Sequence, residues 1–100
     1  MNIDEWAANQ CGIAILGGGW RPPGYAAPIS GRWTIKDPRC REIVREHFKI
    51  WTYYGSIGTD KMGWVSTSAN NDMAGTYGKT IAEAEIACIE AIYEASKNGS

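Results

Sequence analysis

Residues 77–100 read YGKTIAEAEIACIEAIYEASKNGS, and this stretch decides the fold. Thr80 followed three residues later by Glu83 is a capping box: the hydroxyl satisfies an amide of the first helical turn, and the carboxylate reaches back. Ile81, Ala84, Cys88, Ala91, Ile92 and Ala95 recur at three- and four-residue steps, which places them on one side of a helix, with Glu83, Glu90, Glu94 and Lys97 opposite. Ala82, Ile86, Ile89 and Tyr93 widen the apolar arc beyond half the circumference, more than a helix lying on one sheet needs. Either two elements cover this helix or part of it faces a partner, and the arc permits a homodimer. Asn98-Gly99 supplies the stop. Glu85 falls within the arc, between Ile81 and Ile89. A buried carboxylate must find a partner or stay protonated. Glu85 therefore either lies at the edge of the arc, reaching water or an arginine of the preceding helix, or faces a partner protein or ligand.

Upstream, the periodicity is two rather than three to four. Residues 49–54 are β-branched and aromatic and read as a strand, residues 55–60 as a turn, and residues 61–68 as a second strand. Asn70-Asn71-Asp72 is the next turn, and residues 73–79 form a short third strand carrying Tyr77. Short connections make this an antiparallel meander. Before it, Asp37-Pro38 opens a helix with Asp as cap and Pro at the first helical position. Cys40, Ile43, Val44 and His47 share the inner side of that helix, and Arg41, Arg45 and Lys49 run along the outer side.

The N-terminal part is less regular. Residues 2–12 form a short helix, with Asn2 and Glu5 as a second capping box and Ile3, Trp6, Ala7 and Cys11 as its stripe. Residues 13–16 are an apolar run too short to assign. Residues 17–30 hold Gly17-Gly18-Gly19 and three prolines, and read as an irregular loop over the surface. Residues 31–36 form a brief strand presenting Trp33 and Ile35 on one face. The whole is one α+β domain over residues 1–100: a three-stranded antiparallel sheet packed with helices, in the order α-loop-α-β-β-β-α.

Composition excludes several function classes. Ten basic and eleven acidic residues give a net charge of -1, so the total does not argue for a nucleic-acid partner. The charge is nonetheless uneven: seven Lys or Arg against three acids between Arg21 and Lys49, and four Glu against one Lys in the last helix. No apolar run nears the roughly eighteen residues of a membrane span, and the start lacks a signal segment, which points to the cytoplasm. Three cysteines without a C-x-x-C pair argue against a disulfide framework and against zinc, and for reduced thiols packed as small hydrophobes. Gly78-Lys79-Thr80 copies the end of a phosphate-binding loop, but the glycine needed five positions before Gly78 is Met73. His47 and Cys40 lie two helical turns apart, roughly 10 Å, too far for direct proton transfer. No catalytic residues, metal or cofactor follow.

Two candidate binding surfaces remain. Trp51 and Tyr53 alternate onto one face of the first strand; they are core if helices cover both faces of the sheet, and a binding patch if helices cover only one. Trp20, Arg21 and Tyr25 in the 17–30 loop are residue types enriched in interface hot spots, with Trp20 as a plug over the core as the competing reading. The Arg41, Arg45, Lys49 stripe is the corresponding site for a nucleic acid or a nucleotide.

The order of elements resembles a group of small bacteriophage proteins, the phage ABA-sandwich domain. The landmarks are a helix entering an aromatic strand (residues 37–54), Gly63-Trp64 on the second strand, and a third strand closing on Thr80-Ile81-Ala82-Glu83-Ala84. The resemblance implies helix–sheet–helix layering, which favours Trp51 and Tyr53 as core. It implies no catalytic chemistry. It suggests a non-enzymatic phage accessory protein acting in the host cytoplasm, one that inhibits a bacterial host protein by occupying its surface, for example a component of a CRISPR–Cas defence system. The order from Asp37 onward also resembles a double-stranded RNA-binding domain. At the positions where that family clusters lysines this chain has Lys79, Thr80, Ile81, Ala82 and Glu83, which argues against RNA. A small-ligand, nucleotide or nucleic-acid module is the alternative function.

Overall fold

A computed structural model of the chain describes residues 1–71 and 74–98. In chain order the elements are α1 (Ile3–Cys11), β1 (Ala14–Leu16), β2 (Gly19–Arg21), β3 (Ile29–Ser30), α2 (Pro38–His47), β4 (Ile50–Gly58), β5 (Lys61–Ser68), β6 (Thr76–Gly78) and α3 (Ile81–Asn98). The fold is α+β, but the described residues form two three-stranded antiparallel sheets, β1-β2-β3 and β4-β5-β6, where the sequence suggested one. The chain divides into two units, Met1–Val44 and Arg45–Ser100.

In the first unit, the N-terminal box closes as expected: Glu5 N donates to Asn2 Oδ1 at 2.9 Å, and Asn2 Nδ2 donates to Glu5 Oε1 at 3.1 Å. Gly12 ends α1 in the left-handed conformation (φ 70°) that only glycine adopts without strain. The 17–30 segment is not an irregular loop. Leu16 pairs with Gly19 across a two-residue turn, and Trp20 pairs with both Ile15 and Ile29. Strands of two and three residues are too short for alternation to reveal them. Gly19 is required where β2 meets β3, since a Cβ there would overlap the Ile29 carbonyl oxygen.

Residues 31–36 make no strand, yet Trp33 and Ile35 are both buried as foreseen. Asp4 holds them instead of a ladder: its carbonyl accepts from Trp33 Nε1 at 2.8 Å, and its Oδ1 accepts from Ile35 N at 2.9 Å and Thr34 Oγ1 at 3.2 Å. Asp37 caps α2 by accepting from Arg39 N at 2.8 Å, and its carboxyl lies below its ordinary value because the Arg39 side chain donates to it.

In the second unit, β4 runs four residues beyond the strand predicted at 49–54 and turns through Thr59-Asp60, with Asp60 at φ 59°. Gly55 and Ser56 read as turn residues in the sequence. Within the ladder Gly55 pairs with Gly63, and the Tyr53 ring lies over Gly55, covering backbone that a glycine otherwise leaves bare. β5 spans the predicted residues, and β6 is shorter than predicted. The predicted strand start at Met73, Asp72 of the predicted turn and Gly99 of the helix stop lie outside the described residues.

The Thr80 box closes too. Thr80 Oγ1 accepts from Glu83 N at 3.1 Å, while Glu83 Oε2 reaches one residue further back than expected and accepts from Lys79 N at 2.8 Å. Gly78-Lys79-Thr80 is thus occupied as a helix cap. The buried stripe of α3 is Ala84, Glu85, Cys88, Ile89 and Ile92, narrower than the predicted arc. Ile81 and Ala95, assigned to that arc, are exposed.

Candidate functional site

Register fixes which side chains share a face of the β4-β5-β6 sheet, because directly opposed residues of antiparallel strands point the same way. Trp51 opposes Thr67, Tyr53 opposes Val65, and Val65 in turn opposes Tyr77. These residues, with Gly55 and Gly63, make one face. Ile50, Thr52, Tyr54, Trp64, Ser66, Ser68, Thr76 and Gly78 belong to the other.

α3 lies on the second face. Thr76 Oγ1 donates to the Ala84 carbonyl at 3.0 Å, and a Cβ on Gly78 would collide with the backbone of Glu83 and Ala84. Beneath the helix Ile50, Ser66 and Ser68 are buried. The first face carries no helix of this unit, and its rings stand open: Trp51 is 54% exposed, Tyr53 43% and Tyr77 57%. Trp51 and Tyr53 stack with centroids 5.2 Å apart and planes 27° from parallel. Val65, 4% exposed, sits between Tyr53 and Tyr77 across the ladder. The one charged strand residue of this face is Lys61, exposed at the start of β5, at the end of the sheet away from Trp51. The sequence expectation that Trp51 and Tyr53 are core is therefore corrected.

A cleft of about 460 Å³ adjoins this face at Tyr77, lined also by Tyr54, Ile57, Met62, Gly63, Gly78, Lys79 and Glu83. It opens where β6 stops, because the ladder ends at Trp64 opposite Gly78 and β5 continues unpaired on that side. Tyr54 and Met62 are each 57% exposed there.

The other predicted residues are placed differently. Trp20 is 1% exposed and meets Trp33 edge-on at 5.1 Å, so it is the plug of its unit and not a contact residue. Its Nε1 has no hydrogen-bond partner in the structure. Arg21 and Tyr25 remain exposed. Arg41 is not on an outer stripe: it is buried, and its Nη1 donates to the carbonyls of Ile35 and Lys36, each at 3.1 Å. The spacing Asp37, Cys40, Arg41, Val44 is itself a helical face, and the charge of Arg41 hid that. His47, expected on the inner side, is exposed, with its ring edge against Phe48.

Glu85 is buried and Arg45 answers it, with Nη1 3.3 Å from Oε2. Of its two readings the structure gives the arginine of α2, and Glu85 does not face outward. The Arg41, Arg45, Lys49 stripe is accordingly broken up: Arg41 is buried, Arg45 is half-buried and Lys49 is exposed.

Cys11, Cys40 and Cys88 are free thiols. Burial pushes Cys11 from its ordinary 9.0 up to about 11, and raises Cys40 and Cys88 as well. Such thiols stay protonated and are poor nucleophiles. Among the described residues no group of three or more His, Cys, Asp or Glu is placed to hold a metal ion, and no helix is long and apolar enough to cross a membrane.

Tyr77 was not among the candidates drawn from the sequence. Its strand was legible, but only the register, which sets it opposite Val65, aligns it with Tyr53. No family model matches the chain, and no curated protein or solved structure matches it either.

Proposed function

We propose that this chain is a non-enzymatic binding module that docks a partner protein on the open face of β4-β5-β6, with Trp51, Tyr53 and Tyr77 as its anchors. The single observation supporting this reading is that three large rings stand exposed together on a face whose one charged strand residue, Lys61, lies at the far end of β5. Burying Trp and Tyr in a charge-depleted centre is how protein interfaces obtain most of their affinity. Such rings also stack on bases, but a nucleic-acid site adds several Lys and Arg along the backbone track, and the strands of this face supply only Lys61. The resemblance to the phage ABA-sandwich group supports the finer proposal that the partner is a bacterial host protein, such as a component of a defence system, inhibited by occupancy of its surface.

The test is capture from nuclease-treated bacterial lysate by the tagged protein, run beside a Trp51→Ala/Tyr53→Ala/Tyr77→Ala variant. The proposal expects one host protein at near-equal stoichiometry with the wild type and its loss with the variant. Equal capture by both would refute it. A partner removed by nuclease, with affinity falling steeply as salt rises, would move the assignment to nucleic acid.

A further inference from the structure

β4 is an outer strand, since the sheet order is β4-β5-β6 and its other edge makes no ladder with any described strand. Its nine residues, IWTYYGSIG, include no charge and no proline. Natural sheets shield such edges with charges, proline, a cover or shortness, because the free N–H and C=O groups template another strand. Here the only such device within the strand is a bulge between Ser56 and Gly58.

The charges stand at the two ends instead. Lys49 precedes the strand and Asp60 follows it by two residues, with Lys61 beyond it already in β5, one strand in from the edge; Lys49 and Asp60 are exposed and neither has an ion-pair partner among the described residues. Two copies of β4 laid antiparallel about a two-fold axis at Tyr54, the middle residue of the strand, bring Lys49 of each copy beside Thr59 and Asp60 of the other. A two-fold contact uses one patch twice, so this complementary pair forms twice. The strand is thus complementary to itself in charge as well as in hydrogen bonding, a match that an unrelated strand has no reason to provide.

We infer that a second copy of this chain occupies the β4 edge, antiparallel, joining two three-stranded sheets into one of six strands. Opposed residues of the paired strands share a face. The Trp51 and Tyr53 rings of both copies then stand on one continuous surface. The pairing does not depend on what that surface binds, and it is tested without any partner.

The experiment is sedimentation equilibrium of the whole chain as wild type, Lys49→Glu, Asp60→Lys and the double variant. At about 3.3 Å per residue the two charges lie roughly 30 Å apart within one copy. That is beyond the screening length of roughly 10 Å in ordinary buffer, so they do not sense each other in a monomer. The wild type is expected to dimerise, each single reversal to weaken the dimer about tenfold or more, and the double variant to recover. Recovery would report contact between copies and not repaired folding.

Tyr54→Cys supplies an independent reading, because at the dyad the two introduced thiols come within cross-strand distance and a mild thiol oxidant should link them. Tyr77→Cys, on the opposite edge strand, should not link. A monomer at every concentration up to about 1 mM would overturn the inference. So would a dimer indifferent to both charge reversals, or Tyr54→Cys linking no faster than Tyr77→Cys; either would leave the edge to an extended segment of a different protein.

Discussion

On the side of the β4-β5-β6 sheet that α3 covers stand Ile50, Thr52, Tyr54, Trp64, Ser66, Ser68 and Thr76; on the open side stand Trp51, Tyr53, Val65, Thr67 and Tyr77. Residue type alone would assign the Thr and Ser of the covered side to water and the rings of the open side to the core. The structure reverses this because every hydroxyl beneath the helix is satisfied. Thr52 and Ser66 share a hydrogen bond of 2.6 Å, Ser68 donates to the Phe48 carbonyl, and Thr76 donates to the carbonyls of Ala84 and Ser66. Small bonded hydroxyls let a helix approach a sheet closely, at little cost once paired. Large rings left outside are then a statement about association, not stability.

Ile89 is fully buried under the covered face, and Ile89→Ala should cost about 3 kcal/mol, read as a lower urea midpoint with unchanged slope. A loss below about 1 kcal/mol would mean that α3 does not carry the core.

The Arg45–Glu85 pair should come next. Arg45→Ala removes the ion pair of a buried carboxylate and should cost about 2 kcal/mol, while Glu85→Gln, which keeps a neutral acceptor, should cost about half as much. Equal losses would show that the charge of Glu85 is not what Arg45 answers. Ser66→Ala removes one side of a buried hydroxyl pair and should cost about 1 kcal/mol, with Thr52→Val/Ser66→Ala recovering part of it in a double-mutant cycle.

Between neutral pH and about 9 the pH dependence is smaller still. Cys11, Cys40 and Cys88 are held protonated by burial, so the stability they contribute is fully present below 9.0 and falls as pH rises, for Cys11 through about 11. Urea midpoints should therefore be flat from neutral pH to about 8 and decline beyond 9, and a Cys11→Ser variant should decline less. An unchanged decline in that variant would remove Cys11 from the account.

The capping boxes at Asn2 and Thr80, the Asp37-Pro38 start and the β5 strand were legible because each is local, one residue type at one spacing. Three things were not. β1 to β3 are too short to show a period. The far half of β4 is glycine and serine held by ladder partners distant in sequence. Arg41 looked solvated because of its charge, although two carbonyls bind it inside. Trp51 and Tyr53 were identified as candidates, but whether a helix covered them depended on which face α3 took. That choice rests on the hydroxyls of the other face.

The most direct test of the account is urea unfolding of a Trp51→Ala/Tyr77→Ala variant, which removes two rings from the open face and nothing from beneath α3. Both rings are more than half exposed, so the account predicts a loss within about 1.5 kcal/mol of the wild type, well short of the single change Ile89→Ala. A loss as large as that of Ile89→Ala would show the rings to be core, and the open aromatic face would not exist.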